Sequence, residues 1–197
     1  METMTATFER VTANNKVPAN TKVPAVETTR DVETTRDKAA RYVFAGLRIA
    51  LGWTFLWAFL DKMFGLGHET PAKNAWINGG SPTKGFLAFG AAGPFKGFYN
   101  GIAGAAWADW MFMIGLAALG VALLLGIGMR VAAVAGGILL VMMWTVVLPP
   151  ENNPFMDDHL IYTGLLAALA LVGAGNTFGL GRARAKLPIV KRLPWLK

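Results

Sequence analysis

The 197-residue chain contains no cysteine, so disulfides, iron–sulfur clusters and thiol nucleophiles are excluded within it. Any sulfur chemistry has to use other groups or a partner. A Gly-x-Gly-x-x-Gly dinucleotide fingerprint and a Cys-x-x-Cys-His haem-attachment motif are also missing, so no motif announces a resident electron carrier. Histidine is nearly absent, with only His68 and His159. Charge is scarce: 16% of residues are charged against 54% hydrophobic, with 23 glycines, a balance too apolar for an ordinary soluble domain. The chain reads as an integral membrane protein. Its formal charge of +7 does not point to nucleic acid, because the positive residues gather at the two ends and no reader motif accompanies them.

Apolar stretches predict four helices, at about residues 42–64, 110–129, 131–148 and 158–176. At roughly 1.5 Å per residue, about 20 residues cross a hydrocarbon core of ~30 Å. Glycine and alanine recur at close spacing, as in Gly164 with Ala168, which lets helices approach closely in lipid. The expected fold is all-α: a polytopic four-helix transmembrane bundle, with an extracytoplasmic cap between the first and second spans. Residues 1–41 are polar and contain two duplications, Lys16-Val-Pro-Ala19 repeated from Lys22 and Val26-Glu-Thr-Thr-Arg-Asp31 repeated from Val32. They read as a disordered cytoplasmic tail without a secretory signal. Residues 182–197 form a basic tail. Lysine and arginine number seven in the first tail, six in the second, and three in the two remaining long loops, while Arg130 occupies the tight turn. That bias places both termini on the cytoplasmic side of a plasma membrane.

On this topology almost every ionisable group converges on the outer face. Arg48, inside the first span, is expected to snorkel to the inner interface. Asp61 and Lys62 close the first span at the outer one, and Asp109 precedes the second. Residues 65–105, with glycines, prolines and many aromatics, are too long for an ordinary connection and predict an interfacial cap. Their turns can form anion-binding nests, with Lys73, Lys84 and Lys96 as the nearby cations. The densest cluster lies in Asn153-Pro-Phe-Met-Asp157-Asp158-His159-Leu-Ile-Tyr162, where a proline-broken loop delivers titratable groups onto an uncharged helix. Asp157 and Asp158 suit a helix start, and Asp158, His159 and Tyr162 have spacings that share a face. His159 with Asp158, Asp157 and Asp61 are the candidate catalytic groups. A divalent ion on these donors is chemically conceivable, but nothing in the spacing demands one and no metal is assigned. Haem held by His68 and His159 is disfavoured, since His68 lies in a glycine-rich loop.

The residues Leu47-Arg48 to Gly52, Asp61-Lys62, the loop Trp76-Ile-Asn-Gly-Gly-Ser-Pro-Thr-Lys-Gly-Phe86, Gly128-Met-Arg130 and Asn153-Pro-Phe-Met-Asp-Asp-His159 carry a resemblance. Over about residues 41–181 the chain resembles the DoxX/DoxD family of four-helix membrane proteins, in particular the large subunit of thiosulfate:quinone oxidoreductase. The resemblance implies electron transfer from thiosulfate to membrane quinone, beside a small second subunit. Trp76 and Asn78 of the loop motif join Lys62, Lys84, Lys96 and Tyr162 in the candidate substrate- and quinone-binding set. The lysines would attract the anion, and Tyr162 and His159 would donate to a quinone carbonyl. Asp158 would orient the imidazole, with Trp57, Phe59 and Trp144 walling the ring. The alternative is a non-catalytic accessory subunit whose cap docks an extracytoplasmic redox protein.

Overall fold

The computed structural model of the protein describes residues 34–187 and Val190. The expectations for most of the N-terminal tail, and for the chain end beyond Val190, fall outside these residues. Among those described there is no strand. The principal helices are α1 (Thr35–Phe64), α2 (Lys96–Ile102), α3 (Ala106–Leu125), α4 (Met129–Val146) and α5 (Asp158–Leu171). Three of them, α1, α3 and α4, are long and apolar enough to cross a membrane. α5 is not: its 14 residues span about 21 Å at 1.5 Å each, after which Gly173, at positive φ, turns the chain into the short Ala174–Asn176 turn.

Helix ends follow from local chemistry. Asp37 lies in the first turn of α1 and Lys62 in its last, each complementing the dipole at its end. The helix starts at Thr35, ahead of the apolar run, so part of the segment expected to be disordered is helical. At its other end Gly65 adopts φ +65° and donates to the Asp61 carbonyl, a left-handed stop that suits glycine. α5 begins with Asp157 as its N-cap, the carboxylate accepting from Leu160 N at 3.2 Å.

α1 packs mainly on α3, and α4 mainly on α5. The α1–α3 crossing is set by two glycines. A Cβ at Gly52 would come within 2.9 Å of Leu123 Cβ and Leu124 N, and one at Gly120 within 2.7 Å of Leu56 N. The expected close approach at Gly164 is not found, since a Cβ there meets nothing within 4 Å. Leu51, Phe55, Leu119, Leu123, Leu166 and Leu169 are among the residues that form the buried core. Large apolar side chains such as Ile114, Val134, Ile138 and Ile161 remain exposed on the outside of the helices, a surface compatible with a lipid environment.

Arg48 corrects the expectation of snorkelling. It is fully buried, and its guanidinium donates to the carbonyls of Leu123, Leu124 (2.9 Å), Thr177 (3.3 Å) and Phe178 (2.9 Å). Two of these are carbonyls in the last turn of α3, where intrahelical donors run out; that of Leu123 also accepts from the C-cap Gly126 N at 3.1 Å. One cation therefore caps α3 and ties it to the turn after α5. It is a structural clamp at the middle of α1, far in sequence from the cluster around His159 and from Asp61 near the helix end.

Residues 65–105 fold as short 3₁₀ turns at Ala72–Asn74, Trp76–Asn78 and Gly93–Phe95, a π turn at Phe86–Gly90, and α2. Leu87, Ala91 and Tyr99 from this segment join Val146 of α4 in a second apolar cluster. Ala92 N donates to the Val146 carbonyl at 2.8 Å, and the Tyr99 hydroxyl lies 2.6 Å from Thr145 Oγ1. The segment is thus seated on the end of α4 that leads towards α5.

Candidate functional site

Two carboxylates hold the 65–105 segment in place. Asp61 is buried and accepts from three successive backbone amides, His68 N at 3.2 Å, Glu69 N at 3.1 Å and Thr70 N at 2.8 Å. Such a run of amides is an anion nest, and the anion that fills it belongs to the chain. Asp109, also buried, receives Ser81 Oγ at 2.9 Å, Thr83 N at 3.0 Å and Thr83 Oγ1 at 2.6 Å on a single oxygen. The loop motif is pinned by Asp109 at the first turn of α3. Both carboxylates act as anchors, so Asp61 is not brought to the His159 cluster as expected.

Between the helices lies a cavity of about 490 Å³, within the usual range of about 300–1,000 Å³ for a small-molecule site. Its walls are mainly apolar, with Phe55 and Ala58 of α1, Phe112 and Leu116 of α3, and Leu140 and Met143 of α4. Phe86, Leu87 and Tyr99 of the loop segment close it on one side. Its lining also includes the polar or charged residues Lys62, Glu69, Asp158, His159 and Tyr162, besides Thr54 and Thr83. Lys62 pairs with Glu69 at 3.1 Å.

His159 is the best-organised of these. Its Nδ1 lies 2.7 Å from Asp157 Oδ2 and 3.4 Å from Asp158 Oδ1. The Asp157 and His159 side chains are only 12% and 15% exposed, whereas Asp158 is 67% exposed. Asp157, rather than Asp158, is therefore the group that orients the imidazole. It does so while capping α5 with its other oxygen, which fixes the carboxylate against the helix start. With Nδ1 committed to Asp157, the neutral ring is the Nδ1–H tautomer and Nε2 is left for exchange. Among the described residues Nε2 has no hydrogen-bond partner, and neither does the Tyr162 hydroxyl.

The structure gathers four of the expected residues, Lys62, Asp158, His159 and Tyr162, around the cavity, with Asp157 behind them. It leaves out the others. Trp76 stacks edge-on against Trp110, Asn78 Nδ2 bonds to the Ala72 carbonyl, and Lys84 and Lys96 are exposed away from the lining. Trp57, Phe59 and Trp144 do not wall the cavity either. Trp144 Nε1 donates to the Phe155 carbonyl at 2.8 Å, and Trp57 packs against His68, which lies outside the lining. Sequence reasoning missed Phe86, Tyr99, Trp107 and Glu69 as lining residues. Phe86 and Tyr99 carried a signal as aromatics of the 65–105 segment and Trp107 as an aromatic near the outer interface, whereas Glu69 carried none.

Asp157, Asp158 and His159 also present ligand atoms within 4.8 Å of one another. They are three consecutive residues with one largely exposed, and the hydrogen bonds within the trio already account for that closeness. Comparison of the chain with protein-family models, with curated proteins and with solved structures finds no match.

Proposed function

We propose that the protein is a four-helix membrane subunit, both termini cytoplasmic, whose 65–105 segment caps an outer-face quinone site, and that it passes electrons from thiosulfate or a related sulfur donor to membrane quinone. The observation that carries this reading is the apolar cavity with an Asp157-oriented His159 and a free Tyr162 hydroxyl at its lining. A quinone ring needs an apolar slot, hydrogen bonding at its oxygens and a proton source. α5, too short to cross alone, completes the bundle with the turn that follows it. The donor is taken from the resemblance to the DoxX/DoxD family, and a plasma-membrane location and a small second subunit rest on the same ground.

The chemistry balances as follows. Two thiosulfate dianions each lose one electron and join through a new S–S bond as tetrathionate. The quinone takes those two electrons and two protons and becomes quinol. The imidazolium form of His159 donates Nε2–H to the quinone oxygen as negative charge develops there and becomes the neutral Nδ1–H ring, the Asp157 carboxylate having stabilised the imidazolium beforehand. Tyr162 donates to the ring from the same helix face, three residues on. Lys62 supplies positive potential beside the cavity, and Asp158, the exposed member of the trio, gives the imidazole a route to solvent protons.

The test is thiosulfate-dependent reduction of a soluble quinone by the purified chain, with His159→Ala as the control. Turnover lost in a variant that still folds supports the reading. A folded wild-type protein that reduces no quinone, alone or with co-purified partners, sinks it. A second reading, a docking subunit for an extracytoplasmic redox protein, is favoured by the exposed Ile77, Phe89 and Phe98 and by Lys84 and Lys96 outside the cavity. It predicts that Lys84→Glu with Lys96→Glu abolishes partner co-purification while His159→Ala does not.

A further inference from the structure

Resting on the quinone reading, we infer that the cavity is loaded sideways from the bilayer and that its ligand is a long-tailed amphiphile, head group at His159 and tail leaving past Trp107, Met111 and Met142. These three residues line the cavity yet are 56%, 68% and 47% exposed on the outer surface of α3 and α4. Both helices are apolar enough to cross a membrane, so their outward surfaces meet lipid. An apolar side chain that faces the cavity on one side and lipid on the other marks a continuous apolar path between them. The lining also carries the Lys62–Glu69 pair and Asp158, charged groups past which an apolar tail would not run.

Volume argues the same way. About 490 Å³ accommodates a ring and a short substituent, as for drug-sized ligands. It does not hold a polyisoprenoid tail of tens of carbons, which must lie in lipid while the head is bound. Two flexible methionines at the mouth suit that traffic, since an unbranched thioether repacks around a passing chain at little cost. Trp107 beside them matches an amphipathic aromatic at the membrane interface, where a head group would cross into the site.

The absence of cysteine makes the test clean. In lipid nanodiscs, binding is read as quenching of the Trp107 fluorescence by a quinone, the signal being assigned by its loss in Trp107→Phe. Two probes are compared, a ubiquinone with a long isoprenoid tail and the same head group without a tail. Met111→Cys is then labelled with a bulky methanethiosulfonate that a reductant removes. The expected result is that the tailed quinone binds at least ten-fold tighter than the tailless one, that labelling slows its binding ten-fold or more with recovery on reduction, and that the tailless compound is unaffected. If the tailless compound binds as tightly, or labelling leaves the tailed quinone unaffected or slows both probes alike, sideways loading is wrong while the quinone reading stands. If neither probe quenches Trp107 in the unlabelled protein, both fail together.

Discussion

Asp61 and Asp109 on one side, and Asp157 with His159 on the other, put the same functional group to two uses. Asp61 and Asp109 are buried and receive three donors each, from backbone amides and hydroxyls of the loop segment. Asp157 receives one backbone amide and one imidazole, and the imidazole opens onto a cavity. A carboxylate held by three donors of its own chain spends its charge on architecture. One that holds a titratable ring transmits its charge to whatever the ring touches. Burial alone does not separate the two cases; the identity of the donors does.

Five substitutions would break or sharpen that contrast. Asp109→Ala or Asp61→Ala leaves loop donors unpaired in buried positions, and each should cost about 3 kcal/mol, read as a lowered unfolding midpoint. Asp157→Asn comes next: asparagine caps helices as well as aspartate does, so the midpoint should hold while turnover falls about a hundred-fold as the charge behind the imidazole is lost. Gly120→Val wedges α1 from α3, the helices that carry both anchors, and should destabilise by about 2 kcal/mol. Smallest is Glu69→Gln, which breaks a partly exposed ion pair and should change the midpoint by less than about 0.5 kcal/mol. Any effect larger than that would mean Glu69 reaches a ligand through Lys62.

The helices were legible because apolar runs of about twenty residues say the same thing in any context, although their ends were not. α3 starts at Ala106 and α4 at Met129, before the most hydrophobic residues of each run, because alanine, tryptophan and methionine continue a helix without announcing one. The fourth helix was overestimated, since Val172 and the glycines after it extend the apolar pattern while Gly173, at positive φ, ends the helix. At the site, Asp157 to Tyr162 could be read because they lie together in sequence. Arg48 could not: its acceptors are 75 to 130 positions away, and a residue near a span's end gives no sign of which carbonyls will surround it. Nor could the filling of the loop's nests, because sequence shows turns able to bind an anion and not that Asp61 and Asp109 already serve.

The most direct measurement pairs Asp157→Asn with Asp109→Asn and records thiosulfate-dependent quinone reduction per folded molecule beside the unfolding midpoint of the same preparation. The account predicts opposite signatures. Asp157→Asn should lose turnover at an unchanged midpoint, and Asp109→Asn should lose midpoint while its folded fraction keeps its turnover. Full turnover in Asp157→Asn, with the fold intact, would contradict the assignment of His159 and its carboxylate as the proton-handling pair.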